Sequence, residues 1–185
     1  MSETVNEIVK IPADRVKVLV GGKENLKGAI EEKCNVRLLV DPEGEVEIEG
    51  DATDVFFAKD VVKAVGRGFA PREALKLTDH DYNLFIIALK DIVPSDKAMV
   101  RLKGRVIGTG GKIKGEIESA TESYISVYGN TIAIIARIDT MEYAKEAVAM
   151  LLEGGQHTGV LNYLAKARRE IKESRLIPAS RHIEP

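Results

Sequence analysis

The chain carries one pattern twice. Leu19, Val20 and Gly21 fall on Val106, Ile107 and Gly108, a displacement of 87 residues. The same displacement puts Leu26, Lys27, Gly28, Ile30 and Glu31 on Ile113, Lys114, Gly115, Ile117 and Glu118, then Leu38 on Ile125 and Val40 on Val127. A period of that length is the size of a small domain and too long for a solenoid repeat. A chain of 185 residues holds one medium domain or two small ones. The repeat selects two copies of one unit.

Each copy reads as β-α-loop-α-β-β-α. In the first, the strand Glu7–Ile11 is followed by helices at Ala13–Val20 and Leu26–Lys33, with Asn25 placed to cap the second. Strands follow at Asn35–Val40 and Glu45–Glu49, the latter alternating strictly as a half-wet strand does. A helix at Ala52–Arg67 closes the unit. The second copy has a strand at Leu84–Leu89, helices at Asp96–Ile107 and Lys112–Thr121, strands at Tyr124–Tyr128 and Thr131–Ala136, and a helix at Thr140–Glu153. We divide the chain into a first unit (7–70), a linker with one helical turn (71–81), a second unit with an added C-terminal helix (82–175), and a flexible tail (176–185). The added helix, Gly159–Arg175, is expected to pack on its own domain and leave a basic face in solvent. Tyr124, Ser126 and Tyr128 share one strand face, expected to be the sheet's open side and a domain or partner contact.

The loop between the two middle helices of the second copy is Gly108, Thr109, Gly110, Gly111. Six basic residues and no acidic one lie between Lys97 and Lys114. Glycine admits positive φ and lets a ligand approach the backbone closely. The helix that starts at Lys112 offers free N–H groups to an anion. Two nucleotide-binding motifs are excluded: a P-loop would need glycine at Val106 and Ser or Thr at Ile113, and a dinucleotide fingerprint would need glycine at Ile113. In the first copy Glu24 replaces the last glycine, which sets a carboxylate where a phosphate would pass. That copy is expected to bind nucleic acid poorly and to serve as scaffold or protein contact.

Charge distribution agrees. Residues 1–96 carry 13 Lys/Arg against 19 Asp/Glu, a net of −6; residues 97–185 carry 14 against 10, a net of +4. A polyanion belongs on the second half. The single cysteine, Cys34, allows no internal disulfide and reads as a small buried residue of a cytoplasmic protein. No apolar run approaches a membrane span, and the acidic N-terminus is not a secretory signal. The histidines His80, His157 and His182 fall in linker, loop and tail, without metal-ligand spacing. Glu116 and Glu118 read as solvated. We expect no enzyme, no cofactor and no metal.

The run Arg101 to Glu118, with Tyr124 to Thr131, resembles the KH domain of type I, a binder of single-stranded nucleic acid whose loop clamps about four nucleotides. Two adjacent units, the first degenerate, resemble the archaeal KH proteins related to the eukaryotic partner-of-Nob-one and Krr-one ribosome-assembly proteins. The implied fold is α+β, two tandem KH domains with three-stranded sheets and helices on one face. The implied role is small-subunit ribosome assembly: holding single-stranded RNA near the 3′ end of the small-subunit rRNA, beside an endonuclease of the Nob-one type and a translation initiation factor subunit. The implied RNA contacts are Lys103, Gly104, Arg105, Ile107, Gly108, Thr109, Gly110, Gly111, Lys112, Lys114 and Ile125, with Ile107 and Ile125 as the apolar groove floor. An mRNA-regulating or RNA-decay accessory binder, and a protein–protein adaptor, are the competing readings.

Overall fold

The computed structural model describes residues 4–21 and 25–176. Each half folds as expected from the repeat. The first contains β1 (Thr4–Lys10), α1 (Ala13–Val20), α2 (Leu26–Cys34), β2 (Arg37–Val40), β3 (Glu45–Asp51) and α3 (Ala52–Gly66). A helical turn, α4 (Pro71–Ala74), and a 3-10 turn, Leu75–Thr78, lead into the second half. There follow β4 (Tyr82–Ala88), α5 (Asp96–Ile107), α6 (Lys112–Thr121), β5 (Tyr124–Tyr128), β6 (Thr131–Arg137), α7 (Ile138–Leu152) and α8 (His157–Leu176). The sheets run in the order β1-β3-β2 and β4-β6-β5, and every pairing is antiparallel. The replaced glycine at Glu24 and the tail beyond Leu176 lie outside the described residues.

The repeat extends to single hydrogen bonds. Glu31 accepts the backbone N–H of Leu38 at 2.9 Å, and its counterpart Glu118 accepts that of Ile125 at 2.7 Å. Each glutamate thus pins the second strand of its sheet to the helix before it. Glu118 is therefore not the merely solvated residue expected from the sequence: it also pairs with Lys114 at 3.2 Å.

Pairing registers show how the copies differ. On the sheet face turned away from the helices, the first unit presents Asn6 and Ile8 on β1, Glu47 and Glu49 on β3, and Arg37 and Leu39 on β2. At the equivalent positions the second unit has Leu84 and Ile86, Ala133 and Ile135, and Tyr124 and Ser126. The second face is not open. Ala133 and Ile135 are fully buried in the core of the first unit, with Tyr82, Leu84, Ile86 and Tyr124 packed against it. Meanwhile Ile132, Ile134 and Ala136 point the other way, into the second core. Such a strand, buried on both sides, has no polar alternation. The 71–81 stretch is likewise no free tether, since Ala74 and Leu77 belong to the first core.

Polar contacts fix this docking. Ser126 Oγ donates to the Arg67 carbonyl at 2.7 Å. Tyr128 donates its phenol to Asp14, which holds the phenol above its ordinary pKa, and the Arg15 guanidinium lies 5.8 Å from the ring centroid. Gly68 stands between, at φ +94°, where an added Cβ would lie 2.7 Å from Ser126 Oγ and 2.8 Å from Tyr128 Cβ. The alternate residues of β5 thus make the domain contact expected of them.

Cys34 is buried, and that burial, with Asp54 nearby, raises its thiol pKa. The C-terminal helix α8 packs by Val160, Leu164, Ala167 and Ile171. Its basic residues are partly spoken for: Arg168 donates to Ser119 at 3.0 Å, and Arg175 to both oxygens of Glu122 at 2.7 and 2.9 Å.

Candidate nucleic-acid interface

The second unit's loop is held from both ends. α5 begins at Ser95, whose hydroxyl accepts the Ala98 N–H at 3.2 Å, and is anchored by Met99 and Val106. It stops at Gly108, where φ is +72° and an added Cβ would strike Ile113 at 2.6 Å. Gly110 and Gly111 follow at φ +60° and +78°, with nothing within 4 Å of an added Cβ at either. Three positive-φ residues in four demand glycine for conformation. The open space around the last two leaves the backbone approachable.

The helix behind the loop differs between the two copies. α6 has Gly111 at its N-cap, no side-chain cap and no acidic residue in its first turn. In the first unit the corresponding helix, α2, is capped internally, since Asn25 Oδ1 accepts the Gly28 N–H at 3.3 Å. One copy satisfies its helix start with its own side chain; the other leaves it without a side-chain cap.

The basic residues divide into two groups. Lys112 is exposed beside the loop. Lys103 reaches across from α5 to the carbonyl of Gly129 in the β5–β6 turn, at 3.0 Å. Lys114 lies in the first turn of α6, paired with Glu118. Arg105 is turned away: its Nε donates to the Leu151 carbonyl at 2.9 Å and its Nη2 to the Gly155 carbonyl. It ties α5 to the end of α7, as Arg15 ties α1 to the Val65 and Phe69 carbonyls in the first unit. Its guanidinium, expected from sequence to face the nucleic acid, is committed to these carbonyls. Ile125 is 3% exposed and belongs to the second core, so it supports the groove from beneath and is not its surface. Ile107 is half-buried, and Gly104 is exposed with nothing within 4 Å of an added Cβ.

Among the described residues no group of three or more His, Cys, Asp or Glu is placed to hold a metal ion. Nor, among them, is any helix long and apolar enough to cross a membrane. His80 stacks on Phe57, with ring centroids 4.1 Å apart.

Comparison with known proteins fits this geometry. Residues 83–169 match the family described as eukaryotic type KH-domain (KH-domain type I). The chain is 47% identical to the KH domain-containing protein MJ0443 of Methanocaldococcus jannaschii over 174 residues, which cover 91% of this chain and 77% of that one. It belongs to the archaeal Pno1/Dim2-like KH proteins. It is 30% identical to the pre-rRNA-processing protein pno1 of Aspergillus fumigatus, over 62% of this chain and 47% of that protein, so it spans about half of the fungal relative. In structure it resembles a chain in the crystal structure of an a/eIF2alpha–aDim2p–rRNA complex from Pyrococcus horikoshii OT3. The TM-score there is 0.82 at 38% identity, with 90% of this chain and 96% of that one covered. The family model spans only the second unit, where the intact loop lies.

Proposed function

We propose that this KH protein is a non-enzymatic, cytoplasmic RNA-holding factor of small-subunit ribosome assembly. Its second unit (82–175) binds single-stranded rRNA near the 3′ end of the small-subunit precursor. The observation that carries this is the contrast between the two loop helices: α2 capped by Asn25, α6 uncapped behind three positive-φ glycines. The phosphates would run over Gly108, Thr109, Gly110 and Gly111, drawn by Lys112, Lys103 and Lys114. Bases would lie in the groove bordered by Gly104 and Ile107, with Ile125 as its support. The similarity to a Dim2p-type chain crystallised with rRNA, and to a pre-rRNA-processing protein, supports the ribosomal setting.

The first unit supplies the protein contact. Its open sheet face exposes Ile8 (60%) and Leu39 (46%) around an acidic row of Glu45, Glu47 and Glu49. A translation initiation factor subunit is one partner for it, in keeping with the complex that the Pyrococcus relative forms. The Nob-one-type endonuclease acts on the RNA that the second unit presents.

Fluorescence anisotropy tests the reading, with a short single-stranded RNA matching the 3′ end of small-subunit rRNA and a shuffled control. The native RNA should bind better, the Thr109→Asp/Gly110→Asp variant should lose it while remaining folded, and affinity should fall as salt rises. Equal binding by the variant would move the site away from this loop. Loss of all RNA binding, with a protein partner retained, would leave the adaptor reading.

A further inference from the structure

A cleft of about 620 Å3 lies past the loop, where α6 meets the start of β5 and the segment joining the two units. Lys114, Gly115 and Glu118 wall it on the groove side, Glu73 and Tyr82 on the opposite side, and Tyr124 lines it as well. On α6, Gly115 stands one turn beyond Gly111 and on the same face, so a strand leaving the glycine loop along this helix arrives at the cleft. Glu73 and Tyr82 come from outside the α5–loop–α6 motif.

Two observations give the cleft a chemistry. The first is Gly115 itself. Glycine weakens a helix interior. Its repeat counterpart Gly28 has an internal reason, because an added Cβ there would lie 2.5 Å from the Asn25 amide nitrogen. Gly115 has none: nothing lies within 4 Å of an added Cβ. The space beside it is kept clear. The second is the set of carboxylates. Three glutamates, Glu73, Glu118 and Glu122, line the cleft; Lys114 pairs with Glu118, and Arg175 holds both oxygens of Glu122. Carboxylate oxygens accept from amino groups: Glu73 spends Oε2 on the Ala70 N–H and Glu118 spends Oε1 on Ile125, which leaves one oxygen of each uncommitted by those bonds. Tyr82 and Tyr124, half-buried against the first core, bring their remaining ring surface to the cleft, with Lys76 Nζ 5.8 Å from the Tyr82 ring centroid.

We propose that the cleft is an additional base subsite, seating one nucleobase of the RNA strand held by the loop and favouring a base that carries an exocyclic amino group. This rests on the RNA-binding reading above and adds to it. The strand's phosphates stay on the basic loop, and one base beyond the roughly four nucleotides of the groove swings between the tyrosines with its amino group toward Glu73 and Glu118. Uracil, with carbonyl acceptors at those positions, is disfavoured.

The test uses the full chain and the small-subunit 3′-end RNA, with an abasic residue stepped through every position. In wild type, one position flanking the loop-held stretch should lose about tenfold in affinity when its base is removed. Uracil at that position should behave like the abasic site, while adenine, cytosine or guanine should retain binding. Gly115→Leu, which fills the cleft and favours the helix, should show the same loss with intact RNA and none further with the abasic one. A melting curve confirms that this variant is folded. If Gly115→Leu binds intact RNA as wild type does, or if no flanking position is sensitive, the subsite is overturned. Should the Thr109→Asp/Gly110→Asp variant still abolish binding in that case, the loop reading stands alone. If wild type binds no RNA, both readings fall.

Discussion

Single residues in this chain are constrained by very different forces, and their variants should separate them. Gly68 is held by space and conformation together, with Ser126 and Tyr128 against it at φ +94°. Gly68→Ala should cost about 2 kcal/mol by chemical denaturation, since both the clash and the backbone strain must be absorbed. Tyr163 is held by burial. Its phenol, packed against the second core, is pushed up to about 12, first by desolvation and then by the negative field of Glu146. The folded value lies above the ordinary one. The stabilisation it reports is therefore complete below about pH 10 and lost as pH rises through about 12. A titration followed by phenolate absorbance should show Tyr163 ionising last, and Tyr163→Phe should remove that final phase.

Among elements, the tie between α5 and α7 is the one most open to a decisive variant. Arg105→Ala would remove the side-chain donor of the Gly155 carbonyl and leave the Leu151 carbonyl to backbone donors, and should cost about 1–3 kcal/mol of stability. RNA affinity measured below the melting range should change less than in Lys112→Ala; a selective loss of RNA binding in Arg105→Ala would return the residue to the interface. The sequence made element order, the helix bounds of α1, α5 and α6 and the loop legible, because amphipathic period, turn residues and the repeat all agree there. It misassigned Arg105 because one-signed charge near a loop says nothing about which way a long side chain turns. The depth of Ile125 was not legible for a related reason: a strand residue's period gives its face, not the cover over it. The burial of the second sheet's far face was readable and missed. Ile132 to Ala136 is an unbroken apolar run where Glu45 to Glu49 alternates. A run without alternation announces cover on both sides.

At the level of the whole molecule, docking makes the units interdependent. Because Ala133 and Ile135 complete the first core while sitting on the central strand of the second sheet, unfolding should be a single transition. Ile135→Asp would place a charge in that shared core, and should lower the melting temperature of the entire chain without producing a separate low-temperature phase. Two resolved transitions by calorimetry would mean that the units fold independently.

The acidic row on the first sheet also bears on how copies of this chain avoid one another. The second sheet sits on the first unit beside a groove formed at β1 and α3, which includes Lys59, Lys63 and Ile86. The second unit has the matching groove at β4 and α7, lined by Phe85, Ile87 and Ile92, and among the described residues no further sheet covers it. Consider the first unit's uncovered sheet docking on that groove of a neighbour as the second sheet docks on the first unit. Such a contact would be heterologous and would not close, so molecules would add end to end into fibres. Glu45, Glu47 and Glu49 would then approach the groove's Glu146 and Glu153, with Lys145 already engaged by Glu142, and like charge opposes the approach. The kind of contact that joins the two halves is thus favoured within a chain and opposed between chains.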